Sequence, residues 1–199
     1  IPTLNPPGEN YRDICEFLGK RLGAAGFEIK LLRAEGTPGD SARYPRWNVI
    51  ARREGRGPGP CIHFNSHIDV VETGSGWTFD PFGGTVSDGK VYGRGACDMK
   101  GGLAASIIAA EAYIAAFPDF PGAIEISGTA DEETGGYGGV AWLADGEMET
   151  HKESQADVAS FVLNAHPACD RSDPNNQVKY SRTSTYSFSR SGTCTATPA

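Results

Sequence analysis

The sequence predicts an α/β domain, a central sheet with helices on both faces. Three observations carry that prediction. Strand-like and helix-like segments alternate from residue 9 to residue 163, which is the pattern of a sheet covered by helices. Long loops bearing Gly, Pro and acidic residues follow the strand ends, where open α/β sheets keep their ligand sites. The 199 residues are 39% hydrophobic, enough for a buried core and too apolar for a disordered polymer.

Each element has its own signal. Residues 9–25 place Tyr11, Ile14, Cys15, Leu18, Leu22 and Ala25 at helical spacing, with Gly26 as the stop. Phe27, Ile29 and Leu31 alternate as a strand, and extended structure resumes from Trp47 to Ala51. The GRGPGP run at 55–60 is a strong turn, which predicts a hairpin between that strand and the next, Cys61 to Asn65. Ser87-Asp88-Gly89-Lys90 reads as a second hairpin tip, between Thr85-Val86 and Val91-Tyr92. Residues 99–116 form the clearest helix, Ala-rich and able to approach a sheet closely. Gly122 to Thr129 is a strand, Val140 to Ala144 a short helix, and Asp157 to Leu163 a further strand. The tail, residues 181–199, is dense in Ser and Thr and lacks a helical period; Val178, Tyr180, Tyr186 and Phe188 fit a strand or hairpin.

The net charge of −7 is concentrated. Residues 1–118 balance thirteen acids against thirteen bases, whereas residues 119–157 hold ten acids against Lys152 alone. Nucleic-acid surfaces are basic, so that function class is excluded. The acidic block is either solvated surface or a set of carboxylates that converge on a cation. The apolar run from Leu103 to Phe117 is interrupted by Ser106 and Glu111 and falls short of the ~20 residues a membrane helix needs. The chain opens on Ile with no basic and apolar leader, which reads as a processed or trimmed chain and, by default, a cytoplasmic one. Five cysteines with no close pair and no CxxC argue against a disulfide scaffold and a thiolate zinc site. Most read instead as buried hydrophobes in a reducing compartment.

Three short constellations carry chemistry. In His67-Ile68-Asp69, residues i and i+2 of an extended segment point the same way, so the Asp69 carboxylate can sit behind the His67 imidazole. A structural histidine beside a surface aspartate is the alternative. In Gly93 to Gly102, glycines flank Asp98, which either ligates a metal or caps the helix that follows. In Thr129 to Gly136, Glu132 and Glu133 follow a strand, and in extended geometry they point opposite ways. One can then bind a cation while the other takes a proton from water, a division suited to metal-assisted hydrolysis; an acidic surface loop is the alternative.

Taken together, the order and the local words are specific. His67 and Asp98 are 31 residues apart, and Asp98 and Glu132 are 34 apart. With Ser66 to Val71, Trp77 to Phe82, Gly93 to Gly102 and Asp131 to Gly139, the sequence resembles the metal-dependent aminoacylase and deacylase family over roughly residues 10–146. That family includes acetylornithine deacetylase, succinyl-diaminopimelate desuccinylase and glutamate-releasing carboxypeptidases. The resemblance implies a zinc-exopeptidase-like sheet and two zinc ions, with cobalt or manganese as substitutes. It implies His67 as a ligand to one metal, Asp98 as the bridge, Glu133 as a ligand to the other, Glu132 as general base, Asp69 orienting His67, and a cis Asp98-Met99 peptide. The implied substrate is an N-acyl amino acid or a small peptide cleaved at an amide bond, with no nucleic acid or membrane partner.

The resemblance also implies a further carboxylate ligand about thirty residues past Glu133. The place is taken by Asn164-Ala165-His166-Pro167, which offers His166; Asp157 and Asp170 lack the proline context. A last histidine and a lid domain belong to a much longer chain. The expectation is therefore a truncated relative, with residues 1–177 as the N-terminal part of the catalytic domain. Residues 178–199 would be the start of a lid-domain strand or a disordered tail. A homodimer is expected only for a full-length form. The competing expectation is a catalytically silent relative that serves as a binding or assembly module.

Overall fold

The computed structural model describes residues 1–146 together with the strand segments 161–164, 186–188 and 194–196. The elements run α1 (Tyr11–Ala24), β1 (Glu28–Arg33), β2 (Trp47–Glu54), β3 (Cys61–His67), β4 (Thr85–Ser87), β5 (Lys90–Tyr92) and α2 (Lys100–Ala116). They continue with β6 (Ala123–Thr129), a 3₁₀ turn (Glu132–Thr134), α3 (Val140–Gly146), β7 (Phe161–Asn164), β8 (Tyr186–Phe188) and β9 (Cys194–Ala196). Helix α1 stops where the sequence says it should. Gly26 takes φ +83°, and the Phe27 N–H returns to the Leu22 carbonyl at 3.1 Å.

The central sheet has the order β1-β2-β6-β3-β7. Strands β1, β2 and β6 are antiparallel neighbours, whereas β6, β3 and β7 run parallel. The predicted β2–β3 hairpin does not form. Strand β6 lies between the two, and the turn that was to close the hairpin bonds to the segment before β6, through Gly55 N to Gly122 O and Arg56 N to Phe120 O. The reason is burial. Every residue of β6 is buried, so it takes a central position with a partner on each side. The second predicted hairpin does form: β4 pairs with β5, and Asp88 and Gly89 both have positive φ at its tip.

Both faces of the sheet carry helices. On one, Ile14, Leu18 and Leu22 of α1 and Leu103, Ile107 and Ala110 of α2 pack on Val49, Ala51, Ile124 and Ile126. On the other, Leu143 of α3 packs against Ile50. Among the described residues no helix is long and apolar enough to cross a membrane. Cys15 and Cys61 are buried free thiols as expected of most of the cysteines, whereas Cys97 is disulfide-bonded, against the expectation of a reducing compartment. Strands β8 and β9 pair with each other. The boundary expected at 177/178 lies outside the described residues.

Candidate metal centre

Parallel pairing of β3 with β6 sets His67 opposite Thr129 at the carboxyl ends of both strands. The ladder continues one step further through Ile68 N to Thr129 O at 2.9 Å. Whatever follows Thr129 must therefore stand beside His67. Asp98 approaches from the loop that enters α2, through a cis Asp98-Met99 peptide as the resemblance implied. Asp98 does not cap the helix: the N-cap is Met99 and makes no side-chain capping bond.

The site assembles around one imidazole. His67 Nε2 lies 2.9 Å from Asp98 Oδ1 and 3.8 Å from Glu132 Oε2. Ligand atoms of His67, Glu132 and Glu133 all fall within 4.8 Å of one another, a grouping able to hold a metal ion. The two glutamates do not point opposite ways. They sit on a 3₁₀ turn, not on extended chain, and both turn toward His67. Behind the ring, Nδ1 is 3.0 Å from the Asp69 main-chain carbonyl and 3.5 Å from the Asp69 carboxylate. Asp69 is thus where the sequence expects it, with its carbonyl making the shorter contact to the ring. Its carboxylate accepts the N–H groups of Glu132 at 3.2 Å and Glu133 at 3.1 Å. One buried side chain thus joins the histidine to the glutamate turn.

The electrostatics favour a cation. Burial pulls the His67 pKa down, but the carboxylates of Asp69, Asp98 and Glu132 overcome it and push the ring up to about 10. Burial, and then the like charges of Asp98, Asp69 and Glu132, raises Glu133. Asp69 is held below the usual carboxylate range, because its bonds from His67, Asn5 and Glu133 N–H outweigh its burial. Four carboxylates around one imidazole leave negative charge that a divalent ion would neutralise, and imidazole plus carboxylate oxygens are competent zinc ligands. The donor set fits the expected metal. His166, the expected further ligand, and the alternatives Asp157 and Asp170 lie outside the described residues.

Sequence reasoning missed the frame that holds the glutamate turn. Arg46, buried in the loop before β2, pairs its Nε with Asp131 Oδ2 at 2.9 Å and donates from Nη1 to the carbonyls of Pro7 and Tyr44. Asn48 donates to Gly138 O and accepts from Ala130 N, both at 2.9 Å, and so pins the two ends of the loop. Gly139 has no room for a side chain: a Cβ there would collide with the Ala130 carbonyl. Neither Arg46 nor Asn48 carries a local signal, because each meets its partner across more than eighty residues of chain.

Comparison with known proteins bears on the family and the fold. The family model described as peptidase family M20/M25/M40 matches residues 63–184. Human carnosine dipeptidase 1 superposes with a TM-score of 0.62 at 25% identity, over 77% of this chain and 32% of its own. The dipeptidase Dug1p of Saccharomyces cerevisiae gives 0.62 at 22% identity, over 82% of this chain and 36% of its own. The Bacillus subtilis YXEP protein, described as a dinuclear metal binding peptidase, gives 0.52 at 19%, over 84% and 40%. The chain therefore spans 32% to 40% of the length of these structures.

Proposed function

This chain belongs to peptidase family M20/M25/M40, and from that premise we propose a dinuclear zinc hydrolase that cleaves the amide bond of a small peptide or an N-acyl amino acid. The observation that carries the reading is the meeting of Glu132 and Glu133, on one turn, with His67 and Asp98. The likeness to carnosine dipeptidase 1 supports a dipeptide as the substrate; deacylation of an N-acyl amino acid is the related chemistry.

In this reading His67, Asp98 and Glu133 would hold the two zinc ions, with His166 as a further ligand. Zinc bound there supplies Lewis acidity that polarises the scissile carbonyl and acidifies a water. Glu132 takes a proton from the attacking water and delivers it to the amine nitrogen as the C–N bond breaks. It is suited to that traffic because its side chain is half exposed beside the buried His67. Asp69 keeps the His67 ring in place from behind and fixes the main chain of both glutamates. The products are a carboxylate and a free amine.

The test is hydrolysis of a panel of dipeptides and of N-acetyl and N-succinyl amino acids by the zinc-loaded protein, with metal content measured alongside. Turnover that stops on chelation and returns with zinc is expected. A protein that holds two zinc ions and cleaves none of the panel would overturn the reading.

A further inference from the structure

The glutamate turn is braced from a part of the chain that the proposed chemistry does not touch. Thr3 and Asn5 are fully buried. Asn5 N donates to Val70 O at 2.9 Å, Val70 N to Thr3 O at 3.0 Å, and Thr3 Oγ1 to Ile68 O at 2.5 Å. The first residues are thus stitched to the chain on either side of Asp69.

Asn5 then extends its amide between two buried carboxylates. Its Nδ2 lies 2.8 Å from Asp69 Oδ2, 3.3 Å from Asp131 Oδ1 and 2.9 Å from Thr134 Oγ1. Its Oδ1 is buried and has no hydrogen-bond partner among the described residues. An amide whose acceptor is idle while its NH₂ reaches three oxygens is kept for its donors. The flipped amide would aim Oδ1 at both carboxylates.

Those two carboxylates frame the turn. Asp69 accepts the N–H groups of Glu132 and Glu133. Asp131 starts the turn with φ +62°, and its main-chain oxygen accepts from Thr134 N at 3.1 Å and Gly136 N at 2.6 Å. Arg46 holds the other oxygen of the Asp131 carboxylate, Oδ2, and the Tyr11 hydroxyl donates to Oδ1 alongside Asn5. The two negative groups are both buried, where repulsion is poorly screened. A shared donor offsets it.

We propose that Asn5 is a positioning residue: its amide ties Asp69 to Asp131 and thereby sets where Glu132 and Glu133 stand relative to His67. This rests on the reading of Glu133 as a zinc ligand, so the test carries one measurement that needs no metal.

Asn5→Leu keeps the branched shape and removes the donors. Thr3→Val, from the same segment, loses a buried hydrogen bond but touches neither carboxylate. In the metal-free protein, amide exchange at Glu132 and Glu133 should accelerate about tenfold or more in Asn5→Leu and stay unchanged in Thr3→Val. Zinc affinity, by chelator competition, should fall roughly tenfold to a hundredfold in Asn5→Leu alone. Unchanged exchange in Asn5→Leu, or equal acceleration in both variants, overturns the positioning role. Accelerated exchange with undiminished zinc affinity overturns it too. Accelerated exchange in a protein that takes up no zinc at all leaves the positioning role standing and removes the metal reading. If Asn5→Leu does not fold, Asn5→Ala keeps the main-chain bond to Val70 and is read by the same criteria.

Discussion

His67 Nε2 and Asp98 Oδ1 meet at 2.9 Å, although 31 residues separate them and they enter from different elements. A contact that short between a ring nitrogen and a carboxylate is a hydrogen bond, so in the metal-free protein a proton lies between the two groups. In the proposed reading, that proton and a zinc ion compete for the same nitrogen.

The competition fixes a pH dependence. With the His67 pKa raised to about 10, the ring stays protonated across the neutral range. One proton must leave for each metal that the ring accepts, so zinc affinity should rise about tenfold per pH unit up to about pH 10. The sign follows from the upward shift: acid protects the metal-free form and base favours the metal. Chelator competition at several pH values checks it, and an affinity that stayed flat would exclude His67 as a ligand.

Arg46 and Asp131 form a buried ion pair at 2.9 Å. Arg46→Met leaves the Asp131 carboxylate unpaired in the interior and should destabilise the fold by about 3–5 kcal/mol at neutral pH. Burial already raises Asp131. Without Arg46 its folded pKa rises further, so protonation relieves the cost and the difference from wild type shrinks toward acidic pH. Urea unfolding of both proteins at two pH values measures this. A loss that grew toward acid would contradict the ion-pair account.

A Cβ added at Gly139 would run into the Ala130 carbonyl. Gly139→Ala should therefore cost about 1–3 kcal/mol by overpacking. Gly57→Ala is the comparison: Gly57 has a positive φ, but no atom lies within 4 Å of its would-be Cβ. It adds no contact, so its cost is that of backbone conformation alone. Thermal melts of the two variants separate the effects. Added zinc should raise the midpoint less in Gly139→Ala than in Gly57→Ala, because Gly139 sits in the loop that follows the glutamate turn and strain there weakens the metal site.

His166 is the expected extra ligand. His166→Ala should weaken zinc by roughly tenfold or more, because catalytic zinc keeps about three protein ligands and loses one here. An unchanged zinc affinity would return the choice to Asp157 or Asp170.

The order of elements was legible from periodicity and turn residues, since both are local. The sheet order was not. The GRGPGP turn favours a hairpin by its own chemistry, and only the complete burial of β6 shows why a distant strand displaces it. The five residues gathered at the site were legible because each stands near the end of an element, in a short local word: Ser66 to Val71, Gly93 to Gly102 or Asp131 to Gly139. The direction of Glu132 and Glu133 was misread because the chain leaves extended geometry at Asp131, whose φ is +62°. Asn5 and Arg46 escaped notice for a different reason. They reach Asp131 across 126 and 85 residues, and nothing in the words around them announces a buried carboxylate.

The division of labour between neighbouring glutamates is tested most directly by zinc affinity in Glu132→Gln and Glu133→Gln, measured by chelator competition on matched preparations. Glu133→Gln should weaken zinc by roughly tenfold or more, because a ligand charge is lost. Glu132→Gln should keep wild-type affinity while amide hydrolysis falls by about a hundredfold or more, because a base is lost and no ligand is. Equal zinc loss in the two variants would contradict the assignment of Glu132 as a base that does not bind the metal.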